Sequence, residues 1–281
     1  MPSIESQLQE VTELISLPEI YLKFNQLMDD PSAGNEDFAR LVQLDQSLTA
    51  RLLHVVNSAY FGFAGEITSV SRAINMIGLQ QLNIMVLSIS AVSAVSSLTF
   101  PRDIIDLKSF WRSSLLSATL SREIAQRLGL RPFERFFILG LLHEIGHLVL
   151  YATLPALARQ TVELTRTQNL TVADAEQQVL GCHYGQIGAR LMQHWKLPEE
   201  FQLLTEFQPT PARAPQAEVE ASLLHIAHAY AHRQIIEPEC ELDSLIEDEA
   251  WEATGLSGVA IDPLLEKALA KCRDLEKVIV T

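Results

Sequence analysis

The feature that most limits the fold of this chain is a succession of helix-length segments. In these segments apolar residues recur every three or four positions, and each segment ends near a proline or glycine. One segment, from Glu19 to Met28, ends shortly before Pro31, a second runs from about Asp106 to Leu128 and ends at Gly129, and a third runs from about Phe133 to Tyr151. Alternating runs rich in Val, Ile and Thr, which would predict strands, are nearly absent. The sequence therefore predicts an all-α fold.

The sequence changes character near Pro101. A long uncharged segment precedes this residue, and the segments after it are amphipathic with charged faces. This change predicts an N-terminal helical-bundle lobe, residues 1–100, packed on a second helical lobe, residues 101–281, which includes the C-terminal helices. Because 48% of the 281 residues are hydrophobic, the chain can form a substantial core.

The charge and the cysteines limit the classes of partner and the compartment. A formal net charge of −14 gives the protein a negative field that repels phosphate backbones and anionic lipids, so we expect no direct nucleic-acid binding. Cys182, Cys240 and Cys272 form no CxxC pair and leave an odd number, which favours a reducing compartment over a disulfide framework. Acidic Glu5 lies where a signal peptide needs a basic region, so the predicted location is the cytoplasm.

One uncharged stretch, from Gly78 to Pro101, has the apolar character of a membrane span. Its strongly apolar part, Ile84 to Leu98, is shorter than the ~20 residues that a span requires, and serines interrupt it. A buried core helix is the preferred interpretation, and no membrane span is predicted.

The sharpest motif is HEIGH, residues 143–147, which matches the H-E-x-x-H pattern of zinc metalloproteases. In that pattern two histidines on one helix face share a zinc ion, and the glutamate activates the bound water. A third protein ligand is also needed. Leu150 and Thr153 stand where one protease group has glycine and histidine, and Glu163 or Glu176 is only a generic acidic substitute. A zinc protease is therefore a remote alternative.

Six ordered blocks of the sequence resemble the successive blocks of HDOD domains, a family related to the HD phosphohydrolases. They lie between about Leu17 and His232 and read LPEIYLKFNQLMDD, LVQLDQSLTARLLHVVNSAYFG, SVSRAINMIGLQQLNIMVLSIS, the segment around Phe110-Trp111, LGLLHEIGHLVL and VLGCHYGQIGARLMQHWKLPEEF. The central block of the family usually reads HDIG, so HEIGH resembles a drifted HD motif. The resemblance implies a degenerate HD-like second lobe and a role in bacterial signal transduction.

The resemblance also implies where metal ligands would lie. HD phosphohydrolases use a histidine from an early helix, the His-Asp doublet, a distal aspartate and, in two-metal forms, further histidines. The corresponding positions in this chain are Ser113, His143, Glu144, Phe207-Gln208 and His228. Only His143 retains the usual ligand, serine is a poor ligand, and a neutral histidine removes a negative charge from the distal position. We therefore expect a dismantled metal site with no catalytic residue, no resident metal and no other cofactor.

A remodelled metal site is the alternative. Imidazole and carboxylate groups suit zinc, iron or another divalent metal, and a metal-dependent phosphohydrolase would then be the function. Five side chains are candidates for such a site: His143, Glu144, His147, His183 and His228. The spacing of His225, His228 and His232 could also mark a ligand stripe, but a partly exposed helix face is the preferred interpretation.

The segment NSAYFG resembles a structural motif of the family. The resemblance implies that Asn57, Ser58, Phe61 and Gly62 serve the fold, with Asn57 capping or bridging the backbone and Phe61 packing in the core. The predicted function of the whole chain is regulation without catalysis, through binding of a signalling protein or a small ligand. The sequence does not name that partner.

Overall fold

The computed structural model describes residues 4–58, 60–168 and 170–279. Within these ranges the chain forms helices and turns and no strand, which confirms the all-α prediction. The α-helices, in chain order, are α1 (Ile4–Leu14), α2 (Glu19–Met28), α3 (Asn35–Gln43), α4 (Gln46–Val56), α5 (Val70–Ile77), α6 (Leu79–Ser96), α7 (Leu107–Leu128), α8 (Arg135–Leu142), α9 (Ile145–Thr153), α10 (Pro155–Gln168), α11 (Val172–Leu180), α12 (Tyr184–His194), α13 (Glu199–Phe207), α14 (Glu218–Ile235), α15 (Asp248–Thr254) and α16 (Gly258–Ile279). Two short 3-10 turns, Pro211–Arg213 and Leu242–Ser244, flank α14.

Local hydrogen bonds explain where several helices begin and end. α4 begins where the carboxylate of Asp45 accepts a hydrogen bond from the N–H of Leu48 at 2.9 Å. α7 begins in the same way at Asp106, whose carboxylate accepts from the N–H of Ser109 at 3.2 Å. It ends at Gly129, whose φ of 74° lies in the left-handed region that favours glycine. Neighbouring residues are therefore sufficient to set these boundaries.

α7, α8 and α14 form the centre of the second half of the chain, and α7 packs against both of the others. Gly140 of α8 lies so close to α7 that a Cβ atom there would stand 2.7 Å from the Cα of Ala118. Leu115 of α7 and Leu224 of α14 are fully buried in this packing. The arrangement brings the C-terminal end of α8 beside the middle of α14, where histidines of the two segments meet.

Helices from both ends of the chain cross the predicted boundary near Pro101. α1 packs against α9 and α12, and Nε1 of Trp195 donates a hydrogen bond to the carbonyl oxygen of Ile15 at 2.7 Å. α16 packs against both α4 and α7. The buried apolar side chains of the two halves form a continuous core. The division of the chain at residue 100 stays a prediction.

Two apolar segments, Leu79–Ser96 and Arg135–Thr153, could cross a membrane by length and composition. Within the protein, 56% of the first and 78% of the second are buried. The second is also interrupted between α8 and α9. Burial of this extent is typical of core helices, and it supports the core-helix interpretation of Ile84 to Leu98.

The NSAYFG segment forms the end of α4 and the turn that follows, with Ala59 outside the described residues. Asn57 bridges two parts of the backbone. Its Nδ2 donates to the carbonyl oxygens of Leu53 and Ile67, both at 2.8 Å, and its Oδ1 accepts from the N–H of Ile67 at 2.7 Å. Gly62 then takes a φ of 64°, which few other residues adopt without strain. These contacts hold the turn against α4.

The aromatic side chains of this segment differ in burial. Tyr60 is 6% exposed, and its ring centroid lies 5.2 Å from that of Phe137 on α8. Phe61 is only half-buried, and it stacks on Phe63 with a centroid distance of 5.9 Å. Phe61 therefore packs against the core, as expected, but its ring is only partly buried. The tight turn after Ser58 directs consecutive rings to different surroundings, so Tyr60 takes the core position.

Replacing Phe61 with alanine is expected to lower the free energy of unfolding by about 1–2 kcal/mol. A fully buried phenylalanine would cost about 3–5 kcal/mol, and this ring removes only part of its surface from water. Urea denaturation of the wild type and of Phe61→Ala measures the difference. A loss above about 3 kcal/mol would show that the ring is a core residue after all.

Candidate functional site at the bend between α8 and α9

The HEIGH segment lies at a bend between two helices. α8 ends just before His143, α9 begins just after Glu144, and Glu144 has φ −97° and ψ 9°. The predicted single helix from Phe133 to Tyr151 is therefore wrong, because the backbone of Glu144 leaves the α-helical region. The zinc-protease pattern requires both histidines on one uninterrupted helix face. Because His143 and His147 lie on opposite sides of the bend, that premise is not met.

Three side chains meet at this bend: His143, Glu144 and, from α14, His228. We call them the bend triad. Nε2 of His143 lies 2.9 Å from Nδ1 of His228, and Oε2 of Glu144 lies 3.6 Å from each of these two nitrogens. His143 is buried, whereas the side chains of Glu144 and His228 are 12% and 19% exposed. The triad is therefore shielded on most sides and reached by solvent at its edge.

Hydrogen bonds determine which nitrogens of the two histidines carry protons. Nδ1 of His143 lies 2.9 Å from the carbonyl oxygen of Gly140, and because a carbonyl only accepts, Nδ1 is the donor. Burial lowers the pKa of His143 to about 4 despite the nearby charge of Glu144, so the ring is neutral at pH 7 and its Nε2 accepts. Nδ1 of His228 must then be the donor in the bond between the rings. Burial, reinforced by His232, lowers the pKa of His228 well below its usual value, so this ring is also neutral.

His147 is engaged mainly by a second carboxylate. Its Nδ1 lies 3.0 Å from Oε1 of Glu176, a side chain with no exposed surface. The imidazole is stacked between Tyr151 and Tyr184, at centroid distances of 5.3 and 4.1 Å. Burial acts to lower the pKa of His147, but the negative charges of Glu176 and Glu144 together raise it. His147 and Glu176 therefore form a buried ion pair beside the bend triad.

The remaining predicted ligand positions lie elsewhere. Ser113 is buried on α7, and His183 is half-buried at the start of α12, where burial lowers its pKa. Gln208 is buried, and its Oε1 accepts a hydrogen bond from the hydroxyl of Tyr184 at 2.7 Å. Phe207 beside it is partly buried against the core. Of the five side chains considered for a remodelled site, the structure brings three together and leaves His147 and His183 outside their group.

The histidines of α14 do not share one exposed face. His225 is buried, its Nδ1 donates to the carbonyl oxygen of Gln208 at 3.0 Å, and its Nε2 accepts from the N–H of Glu247 at 3.3 Å. The side chains of His228 and His232 are 19% and 24% exposed. The prediction of a partly exposed face is therefore wrong for His225, whose two ring nitrogens connect the end of α13 to the segment before α15.

Sequence reasoning missed the groups that support the triad. The carbonyl of Gly140 orients His143, and a Cβ atom on Gly146 would stand 2.0 Å from the carbonyl oxygen of Tyr184. Glu176 was considered only as a third zinc ligand, whereas its Oε2 accepts a hydrogen bond from the N–H of Tyr184 at 2.6 Å. Gly140 and Gly146, on either side of His143-Glu144, were the available signal in the sequence, since glycine inside a helix often marks a close approach of two backbones.

Comparisons with known proteins agree with this architecture. A family model described as the HDOD domain matches residues 14–211 of the chain. An uncharacterized protein of Treponema pallidum (strain Nichols) is 25% identical over 207 residues, which are 73% of this chain and 39% of the relative. This chain therefore spans about two fifths of the length of that curated relative.

Solved structures share the fold along most of the chain. An HDOD domain protein with unknown function from Geobacter sulfurreducens has a TM-score of 0.76 and 22% identity, and the match covers 99% of this chain and 98% of that one. A protein provisionally named a phosphohydrolase, from Shewanella amazonensis SB2B, has a TM-score of 0.76 and 26% identity, with 97% of each chain covered. A protein provisionally named for signal transduction, from Marinobacter aquaeolei VT8, has a TM-score of 0.70 and 24% identity, with 94% of this chain and 59% of that one covered.

Proposed function

Because this chain belongs to the HDOD domain family, we propose that it is a non-catalytic regulatory protein of the cytoplasm that acts by binding a signalling protein. The observation that carries the proposal is the chemistry of the former hydrolase positions. By the family resemblance, Ser113 and His228 correspond to a histidine and an aspartate of the HD phosphohydrolases, and Glu144 is the single carboxylate of the bend triad. Phosphoester hydrolysis by a metal needs charge neutralisation and an activated water, and this ligand set is poor in anionic oxygen.

The charge of the chain supports a protein partner over other classes. At a net charge of −14, association with nucleic acid or with an anionic membrane is opposed by electrostatic repulsion. Cys182, Cys240 and Cys272 form no disulfide in the described part of the chain, as is usual in a reducing cytoplasm. The name of the Marinobacter protein, which shares the fold, refers to signal transduction. Together these observations favour a cytoplasmic binding role without a membrane span.

A metal-dependent phosphohydrolase with a remodelled site is the second candidate, and the bend triad is the observation that favours it. Two imidazoles and a carboxylate within a few ångströms are ligands that zinc and iron accept. The name of the Shewanella protein, 26% identical to this chain, also refers to phosphohydrolase activity. We rank this candidate second because only one of the family's usual ligand positions keeps its usual residue.

We expect the purified protein to hydrolyse neither phosphomonoesters, phosphodiesters nor cyclic dinucleotides in the presence of Mn²⁺, Fe²⁺ or Zn²⁺. The physical reason is the loss of anionic ligands, which leaves too little charge to activate water on a bound phosphate. Release of p-nitrophenol from nitrophenyl esters measures hydrolysis of phosphomonoesters and phosphodiesters, and chromatography measures hydrolysis of a cyclic dinucleotide. Turnover by the wild type that disappears in His143→Ala would overturn the proposed function and establish the second candidate.

A further inference from the structure

Away from the bend, the structure contains an open groove whose walls come from both halves of the chain. Its volume is about 630 Å³, within the range of sites that hold ligands in proteins. One wall is α4, the second is the loop 66–68 that precedes α5, and the third is α16 near Asp274. We propose that this α4–α16 groove binds an arginine-bearing segment of the partner protein. The proposal deepens the proposed function and rests on its binding role.

The first argument is charge. Glu66 and Asp274 line the groove, and no lysine or arginine is among the described residues of its lining. Glu66 is exposed, and within the described part of the chain its carboxylate makes no hydrogen bond or ion pair. Asp274 lies 3.2 Å from Nζ of Lys277, but both side chains are exposed, and such a pair contributes little, so a second cation can share the carboxylate. The groove therefore complements a basic side chain.

The second argument is that two walls of the groove are already joined. Nδ2 of Asn57 donates hydrogen bonds to the carbonyl oxygens of Leu53 on α4 and Ile67 in the loop, both at 2.8 Å. Oδ1 of Asn57 accepts from the N–H of Ile67 at 2.7 Å. The backbone beside Glu66 is thus fixed to the end of α4. A partner that binds here has little ordering of this loop to offset.

The third wall is held on both sides of Asp274 along α16. Nζ of Lys271 lies 2.6 Å from Oε1 of Glu123 on α7, and Leu275 is fully buried in the core. α16 also packs directly against α4. These contacts set the rotation of α16, and with it the position of the Asp274 carboxylate at the groove.

The fourth argument is that the groove suits both parts of an arginine side chain. Ala50 and Leu53 of α4 provide apolar surface beside the carboxylates, and the methylene stem of arginine packs on such surface while its charged end stays near anions. The guanidinium binds a carboxylate through two parallel N–H groups and stacks on flat rings. The exposed imidazole of His54, which also lines the groove, offers such a ring. Arginine is therefore favoured over lysine.

The test is binding of a fluorescein-labelled, capped octapeptide that contains two arginines, measured by fluorescence polarisation with the full-length protein at physiological ionic strength. Its control is the same peptide with citrulline, which has the shape of arginine without the charge, at both positions. We expect saturable one-to-one binding of the arginine peptide, and binding of the citrulline peptide weaker by about 10-fold or more. In NMR spectra of the full-length protein, the arginine peptide should shift amide signals of residues 50–58, 66–68 and the region around 274.

Matched variants assign the binding to the groove. Glu66→Gln combined with Asp274→Asn removes both carboxylates at nearly constant size and should weaken binding of the arginine peptide about 10-fold. Glu252→Gln combined with Asp262→Asn changes the net charge equally at exposed positions, and should change binding less than about 2-fold. Asp262 lies about 18 Å from Asp274 along α16, beyond the Debye length of about 8 Å. Thr68→Arg places a cation in the groove itself and should also weaken binding.

The outcomes separate this proposal from the proposed function. Absence of saturable binding, equal binding of the two peptides, or equal losses in the groove pair and the control pair would overturn the groove. NMR shifts confined to another surface would do the same. The citrulline comparison uses the wild type, so it decides the question even where a variant fails to fold. Phosphoester hydrolysis with arginine binding retained would overturn the non-catalytic role alone, and loss of the groove would leave that role standing.

Discussion

Replacing Glu176 with alanine is expected to lower the free energy of unfolding by about 3–5 kcal/mol, the cost of removing one partner of a buried ion pair. Glu176 has no exposed surface, and its two oxygens serve two different elements. Oε1 faces Nδ1 of His147 on α9 at 3.0 Å, and Oε2 accepts from the N–H of Tyr184, the first residue of α12, at 2.6 Å. The negative charge is thus placed at a helix N-terminus, where the helix dipole also favours it. Without this carboxylate, a buried imidazole and a buried N–H lose their partner together.

Two variants make the interpretation specific. In Glu176→Gln the side chain can still accept a hydrogen bond from the N–H of Tyr184, but it loses the negative charge that pairs with His147. We therefore expect the free energy of unfolding to fall by an intermediate amount, about 1–3 kcal/mol. Glu163→Ala removes the exposed glutamate of α10 and is expected to change stability by less than about 0.5 kcal/mol. Urea denaturation at pH 7 measures all three. If Glu176→Ala were as stable as Glu163→Ala, the ion pair would contribute nothing to the fold.

The parts of the fold that sequence reasoning predicted well are those set by neighbouring residues. The segment from Asp106 to Leu128 became α7 because a side-chain cap and a left-handed glycine act within one helical turn of its ends. The core-helix interpretation of the uncharged stretch also used a local signal, since its strongly apolar part is shorter than a membrane span and serines interrupt it. Fold class follows from such local preferences repeated along the chain.

The parts that were not predicted depend on contacts between distant residues. The bend at His143-Glu144 interrupts a continuous apolar pattern that favours a single helix, and it is maintained by packing against α12 and α14. His143 and His228 are 85 residues apart, so no periodicity could show that their ring nitrogens approach to 2.9 Å. Family resemblance supplied their equivalence to hydrolase ligands, but not the distance or the tautomers. The same limit explains why Tyr60, and not Phe61, proved to be the buried ring.

The close approach of α9 and α12 is expected to make Gly146→Ala the most damaging single-methyl change in the HEIGH segment. The added Cβ atom would stand 2.0 Å from the carbonyl oxygen of Tyr184 and 2.8 Å from the backbone nitrogen of Gly188. Both are backbone atoms, so the helices must separate by more than about 1 Å to restore ordinary contact distances. Alanine favours a helix over glycine by about 1 kcal/mol, so intrinsic propensity alone predicts stabilisation. We expect the clash to prevail and the free energy of unfolding to fall by at least about 3 kcal/mol, the upper range for overpacking.

Two other glycines calibrate this expectation. At Gly188 an added Cβ atom would meet the Cγ2 methyl of Thr205 at 3.0 Å, a side-chain atom that can yield, so Gly188→Ala should cost less, about 1–2 kcal/mol. At Gly65 an added Cβ atom would have no atom within 4 Å beyond the neighbouring residues of the chain, and Gly65→Ala should be more stable than wild type by up to about 1 kcal/mol because alanine restricts the unfolded chain. Thermal melts and urea denaturation of the three variants should therefore show that Gly146→Ala is the least stable and Gly65→Ala the most stable.

Separation of α9 from α12 would also move His147 away from Glu176. The loss of unfolding free energy in the double variant Gly146→Ala and Glu176→Ala should therefore be smaller than the sum of the two single losses. If Gly146→Ala and wild type were equally stable, α9 and α12 would not be in close contact at Gly146. The packing that holds the bend triad in position would then be absent.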